Sequence, residues 1–302
     1  MPLLSSVDFV ESVLAFDEFG EKARTEEFHW EAAGRQGNVL KAVNEYWTAG
    51  QRQAHSLHEI SYRACFKPQL PSFFVERLTE PGDAVYDPFM GRGTTLLEAW
   101  LLARRPLGND INPLSRVLLE PRINPPEFEA VAQRLDSIDL TSAQEEFEDL
   151  KVFYHPNTLH QIIALKEYLL KREEAGELDQ VDRWIRMVAI NRLTGHSNGF
   201  FSVYSMPPNQ AVSINSQRKI NARREQTPDD RDIVSRILKK SKSLLKDWDG
   251  APLTHEGHML SALLTTEDAG NVAGIEQGVA QLVVTSPPFL DVVNYQADNW
   301  LR

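Results

Sequence analysis

Residues 84–95 read AVYDPFMGRGTT: a short apolar run ending in an acid, a loop holding two glycines, and the start of a helical pattern. Ala84 to Asp87 reads as a strand after the turn signal EPGD, and TTLLEAWLLARR from Thr94 reads as a helix. The glycines let the backbone turn sharply and lie close to a ligand, while the helix N-terminus presents unpaired N–H groups. A dinucleotide fingerprint would place a third glycine where Leu96 stands, so pyrophosphate binding is not favoured. PLGND, residues 106–110, reads as a second strand ending in an acid. Strand, loop, helix, strand in this order opens a doubly wound α/β sheet.

Outward from this core, PQLPSFFVERL reads as a helix started by prolines, with Leu70, Phe73, Phe74 and Leu78 mainly on one face. Residues 1–55 read as a helical N-terminal region, in which NVLKAVNEYW carries apolar positions at helical spacing. From 127 to 254 helical patterns dominate, clearest in TLHQIIALKEYLLKREE and QVDRWIRMVAINRL, and a loop-like stretch, GHSNGFFSVYSMPPNQAVSINSQ, interrupts them. Strand patterns return in HMLSALLTTEDAGN and GVAQLVVTSPPF. The reading is therefore a sheet-bearing unit of residues 56–126 and 255–302 with a large helical insertion at 127–254. No internal repeat or low-complexity tract interrupts it.

With 42% hydrophobic and 25% charged residues over 302 positions, the chain has ordinary globular composition. Cys65 is the single cysteine, which excludes a disulfide framework, a cysteine-built zinc site and a redox thiol pair. The N-terminus is acidic where a signal peptide is basic, and no apolar run reaches the roughly 18 residues of a membrane span. A cytoplasmic protein without membrane contact is expected. The net charge of −11 disfavours phosphate binding, yet between Arg192 and Lys246 eleven basic residues face four acids. That local excess suggests one face for a polyanion on an acidic body.

The string Asp87-Pro88-Phe89-Met90-Gly91-Arg92-Gly93-Thr94-Thr95 resembles the cofactor motif of the DNA amino-methyltransferase family, Asp-Pro-Phe-x-Gly-x-Gly-Thr-Thr. The resemblance implies a Rossmann-like class I methyltransferase sheet, S-adenosylmethionine as cofactor and no metal. It implies that Asp87, Pro88, Phe89, Gly91, Gly93 and Thr94 surround the methionine part of that cofactor. Phe66 and Lys67, in FKPQLP, look like the segment that closes over the same end. Asp110, followed by Ile111, is placed to accept both ribose hydroxyls, the role of the acid after the second strand in nucleotide-binding folds. Asp268 and Ala269 resemble the place where the family contacts the adenine amino group.

Thr285-Ser286-Pro287-Pro288-Phe289 follows the run QLVV. Two successive prolines stiffen the chain and leave carbonyls without competing amide donors, and the aromatic can stack on a flat ring. An exocyclic base amine is a poor nucleophile because its lone pair is delocalised into the ring. Accepting its two hydrogens at the Ser286 hydroxyl and the Pro287 carbonyl favours a pyramidal nitrogen. Extruding the base costs a few kcal/mol, which stacking on Phe289 offsets in part. Ser286, Pro287, Pro288 and Phe289 are thus the catalytic candidates.

In the family the Ser form of this motif is typical of cytosine-N4 enzymes and the Asp form of adenine-N6 enzymes. Ser286 therefore favours cytosine, and Phe289 stands where tyrosine is commoner. An adenine-N6 enzyme, an RNA methyltransferase and a chain that binds cofactor without turnover remain alternatives.

Target recognition is expected in the insertion. Phe200, Phe201 and Tyr204 offer stacking groups, Asn209 and Gln210 offer base-edge readers, and Arg218, Lys219, Arg223 and Arg224 offer phosphate contacts. His196 reads as a loop histidine rather than a catalytic base. The implied partners are double-stranded DNA and, in a restriction-modification system, a cognate restriction endonuclease. The family's sheet continues through further strands after the catalytic loop, whereas 17 residues follow Thr285 here. The expectation is an incomplete sheet, a second chain that completes it, and little activity from this chain alone.

Overall fold

A computed structural model describes residues 6–46, 54–62, 65–145, 147–202, 211–251, 253–288 and 299–302. Helix α1 (Ser6–Leu14) precedes a hairpin of β1 (Arg24–Ala32) and β2 (Arg35–Val43). Then follow α2 (Gln69–Leu78), β3 (Ala84–Asp87), α3 (Thr94–Leu101), β4 (Arg105–Asn109) and α4 (Pro113–Leu119). The helical stretch comprises α5 (Phe128–Ser137), α6 (Pro156–Glu174), α7 (Gln180–Arg192), α8 (Ile214–Arg224) and α9 (Ile233–Leu244). A two-residue ladder of β5 (Thr254–His255) with β6 (His258–Met259) leads to β7 (Leu263–Thr265) and β8 (Leu282–Val283). Single 3-10 turns stand at Ser56–His58, Glu120–Arg122 and Glu148–Val152.

The main sheet has the order β7-β4-β3-β8 and every pairing in it is parallel. Strands buried on both faces read as continuous apolar runs, which is how AVYD and PLGN read. The helix from Thr94 stops at Leu101, short of the pattern TTLLEAWLLARR. Ala103 takes a left-handed φ of 61° there. The Arg104 guanidinium then folds back onto the Thr79 carbonyl and hydroxyl, which fixes the entry into β4.

The N-terminal region corrects the helical reading of residues 1–55. NVLKAV lies in β2, paired antiparallel with β1, for example Phe28 with Val39. Ala33 and Gly34 both have positive φ, the geometry of a two-residue hairpin turn whose twist matches the strands. Strand pairing overrode an apolar spacing that also fits a helix.

Residues 127–254 do not form a core of their own. Trp184, Ile185 and Val188 of α7 and Ile237 and Leu244 of α9 share one apolar cluster with Leu96 and Leu97 of α3 and Leu118 and Leu119 of α4. Trp184 is fully buried, and its indole N–H donates to the Ser241 hydroxyl at 2.9 Å, which removes the cost of burying that donor. Among the described residues, no helix is long and apolar enough to cross a membrane.

At the start of α7, Asp179 and Asp182 form a reciprocal capping box. Asp182 is fully buried; Arg134 donates to it, Arg172 Nε does so at 2.6 Å, and the Tyr168 hydroxyl at 3.3 Å. Asp182→Ala takes a buried acceptor from Arg134 and Arg172, which keep only Asp179 and Glu177, and removes the N3 half of the capping box. It is expected to lower unfolding free energy by roughly 3 kcal/mol in urea titrations.

Candidate active site

Because the sheet is parallel, the segments that follow its strands leave from one edge. Pro88–Gly93 follows β3, Asp110–Asn112 follows β4, Thr266–Gly270 follows β7 and Val284–Pro288 follows β8. Residues separated by almost two hundred positions in the chain thereby become neighbours.

The glycine loop is shaped by left-handed backbone. Gly93, which caps α3, has φ 78°, and a Cβ there would stand 2.6 Å from a Leu119 methyl group. Gly91 has φ 51°, and its N–H donates to Asp110 Oδ2 at 2.8 Å. Asp110 Oδ1 accepts the Asn112 N–H at 2.9 Å, and the Asn112 side chain caps α4 in turn. Ile111 is 72% exposed beside this acid, an apolar surface held out to solvent.

Asn109, fully buried at the end of β4, holds the edge together. Its amide nitrogen donates to the carbonyls of Glu267 (3.0 Å) and Pro88 (3.4 Å), and its oxygen accepts from the Thr265 hydroxyl (2.8 Å) and the Glu267 N–H (3.0 Å). One side chain thus ties the ends of β3, β4 and β7.

Asp87 ties β3 to β8. Its Oδ1 accepts the Phe89 N–H at 3.1 Å and the Thr285 hydroxyl at 2.7 Å, while the Thr95 hydroxyl donates to the Val284 carbonyl at 3.1 Å. Burial pushes the Asp87 carboxyl up to about 6, against these donors, and the nearby Asp110 charge adds to the rise. Ser286 is half-buried, and Pro287 and Pro288 are exposed one and two residues beyond it. Phe289 lies outside the described residues.

The remaining expected site residues are less drawn in. Phe66 is half-buried and Lys67 exposed just before α2. Asp268 and Ala269 are exposed, and the Asp268 carboxylate accepts the Gly270 N–H at 2.7 Å, as a turn aspartate does. Arg218, Lys219, Arg223 and Arg224 are exposed on α8, with Arg218 paired to Asp149. Thr95 and Thr285 stand in the two motifs without a role of their own, and Asn109 closes a strand without one. Their signal was a polar residue closing an apolar strand or opening the helix after it.

Two sequence readings need correction. Phe200 and Phe201 are buried and stack on no solvent-side ligand, because Arg192 lies over the Phe200 ring at 4.0 Å. Arg192 and Arg231 are also buried, and Arg231 donates to the carbonyls of Ser197, Phe200 and Ser202. Two charges of the basic excess therefore serve the interior rather than a polyanion-binding face. Tyr204, Asn209 and Gln210 lie outside the described residues, and His196 is exposed in its loop.

The donor set at the sheet edge suits S-adenosylmethionine. Acids at Asp87 and Asp110, a glycine loop that admits close backbone approach and the exposed apolar Ile111 are the groups that a cationic, hydroxyl-bearing cofactor would need. A cavity of about 780 Å³ lies elsewhere, between α6 and α7, and the charges at its rim include Arg186 and Glu173, which pair with each other. We assign the site by convergent polar groups rather than by volume.

Residues 18–115 match the family model described as DNA methylase. In sequence, this segment is similar to that family over about a third of the chain. It includes the hairpin as well as the glycine loop and Asp110, and it ends well before Ser286. Curated relatives agree. The chain is 30% identical over 96 residues to Type II methyltransferase M.MjaII of Methanocaldococcus jannaschii, covering 32% of this chain and 17% of that protein. It is 31% identical over 104 residues to M.BsoBI of Geobacillus stearothermophilus, covering 32% and 20%. It is 26% identical over 128 residues to M.MvaI of Kocuria varians, covering 41% and 25%. The matched part therefore spans a quarter or less of each of these relatives. No solved structure matches the chain significantly.

A carboxyl raised to about 6 in the folded chain, against about 3.9 unfolded, holds its proton longer when folded. The stability it contributes is full below pH ~4 and lost as pH rises through about 6. Asp87→Asn keeps an oxygen for Thr285 and Phe89 without the buried charge. Urea titrations should show the variant gaining on the parent as pH rises from 4 to 6.5, by roughly 2–3 kcal/mol at the plateau.

Proposed function

We propose that the chain is the cofactor-binding and catalytic part of a Type II DNA methyltransferase that transfers a methyl group from S-adenosylmethionine to the exocyclic N4 of cytosine. The observation that carries this reading is the 2.7 Å hydrogen bond from Thr285 to Asp87, which couples the Ser-Pro-Pro segment to the glycine loop across the sheet. The family match and the Type II methyltransferase relatives support the reaction class. The Ser286 form of the catalytic motif supports cytosine over adenine.

When bound, S-adenosylmethionine supplies an electrophilic sulfonium methyl group. Asp110 accepts the ribose hydroxyls with the lone pairs left free by Gly91 and Asn112, and Ile111 covers one adenine face. Asp87 faces the cationic methionine end, so binding favours its ionised form. Ser286 and the Pro287 carbonyl accept the two N4 hydrogens of the extruded cytosine, which leaves the nitrogen lone pair free for in-line attack. Transfer would form the nitrogen–methyl bond as the methyl–sulfur bond breaks, the sulfonium leaving as the neutral thioether S-adenosylhomocysteine, and the nitrogen would release one proton to water. Exposed Arg218, Lys219, Arg223 and Arg224 fit backbone contacts to double-stranded DNA, and residues 127–254 its recognition.

In this reading the fold is a Rossmann-like methyltransferase sheet. Among the described residues β8 has no neighbour on its outer side, where Val283 is 54% exposed, and a further strand, from elsewhere in the protein or from a second chain, would pair there. The Type II character of the relatives fits a restriction-modification setting with a cognate endonuclease.

Labelled S-adenosylmethionine and unmethylated bacterial DNA, followed by nucleoside mass spectrometry, test the reading. N4-methylcytosine is expected when the chain is assayed together with the segment or second chain that supplies the further strand, with Ser286→Ala lowering turnover at least about a hundredfold while cofactor affinity holds. N6-methyladenine would overturn the choice of base, and binding without transfer would leave a cofactor-binding chain. Asp110→Ala is expected to weaken cofactor binding about 10- to 100-fold in calorimetry. Cofactor affinity of the parent should rise as pH climbs through about 6, because the cationic ligand binds ionised Asp87.

A further inference from the structure

Residues 55–62 lie between the glycine loop and the helices α7 and α9; a 3-10 turn shapes their backbone and side chains of neighbouring elements anchor it. From the glycine-loop side, Arg92 donates to the carbonyls of His58 (3.3 Å) and Ile60 (3.0 Å). Arg122, fully buried, donates to the carbonyls of Leu118 (2.7 Å), Leu57 (3.3 Å) and Arg92. The last of these sits between the two loop glycines. From the helix side, the Ser56 N–H donates to Asp247 at 2.9 Å, and the Ser56 hydroxyl to the Leu244 carbonyl at 2.7 Å.

The most specific hold is Asn191, on α7 and 1% exposed. Its oxygen accepts the Ser61 N–H at 3.3 Å and its nitrogen donates to the Ser61 carbonyl at 3.0 Å. An amide that meets both groups of one residue replaces a neighbouring strand and fixes that residue in direction as well as distance. The next residue is Tyr62, whose ring stands 3.5 Å from where a Cβ on Gly91 would be. The chain of contacts runs from α7 through Asn191 and Ser61 to an aromatic ring over the first loop glycine.

We propose that Asn191 and Arg122 are positioning residues for cofactor binding, holding residues 57–62 against the loop of Gly91 to Gly93 so that Tyr62 sets the width of the methionine end. The proposal rests on the cofactor reading above. It gives a part of the helical stretch, read from sequence as target recognition, a second duty toward the cofactor.

Cys65, exposed and the single cysteine of the chain, reports on this segment three residues beyond Tyr62. The test measures S-adenosylmethionine affinity by calorimetry, urea stability, and the rate of Cys65 labelling by a maleimide, in the 302-residue chain and in Asn191→Ala, Asn191→Leu and Arg122→Lys. Expected is a cofactor affinity about tenfold weaker in each variant after correction for the folded fraction, with faster Cys65 labelling of the unliganded variants. Arg122→Lys keeps the charge but not the fork that reaches three carbonyls, so it guards against a variant that simply misfolds. Parent binding with variants within twofold of it, or a loss explained wholly by unfolding, overturns this proposal alone. A parent that binds no S-adenosylmethionine overturns the cofactor reading, and this proposal with it.

Discussion

A carboxylate inside an apolar sheet is costly unless donors surround it, and Asp87 lies at that point in the fold. Its donors come from two places: the Phe89 N–H in its own loop and the Thr285 hydroxyl, 198 positions later in the chain. Satisfying Asp87 therefore requires that β8 enter the sheet beside β3 with the Ser-Pro-Pro segment just beyond. The second hydroxyl bond, from Thr95 to the Val284 carbonyl, fixes the same junction from the first turn of α3. The glycine loop and the Ser-Pro-Pro segment are thus set relative to each other by the electrostatic needs of one buried group.

The edge as a whole follows the same logic. Its strands are short, so backbone ladders satisfy few of the groups beyond them, and long polar side chains take over. Asn109 serves three strand ends, while Arg92 and Arg122 collect carbonyls of residues 57–60 and of the glycine loop. Buried His58 pairs with Glu98 of α3 at 2.6 Å, and desolvation holds its imidazole below the ordinary value, which keeps it neutral in the interior. A loop held this way is pre-organised without being regular structure, and that favours tight ligand geometry.

The helices between β4 and β7 share one packed core with α3 and α4 of the sheet. Arg192 and Arg231 were counted toward a polyanion-binding face, yet both are inside, stacked on Phe200 or holding carbonyls of the 197–202 loop. Arg218, Lys219, Arg223 and Arg224 of α8 stay exposed, with Arg218 paired to Asp149.

By itself the sequence determined the elements whose cause is local. The strand Ala84–Asp87, the left-handed glycines and the capped helix starts follow from residue type and spacing, and so did the acids at the strand ends. Only the tertiary structure decided which side chains bridge distant segments. NVLKAV became a strand because β1 was there to pair with it, since its spacing suits either state. Asn109, Thr285, Arg122 and Asn191 took their roles from partners 20 to 200 positions away, and a hydrogen bond between such positions leaves no periodic trace in the chain.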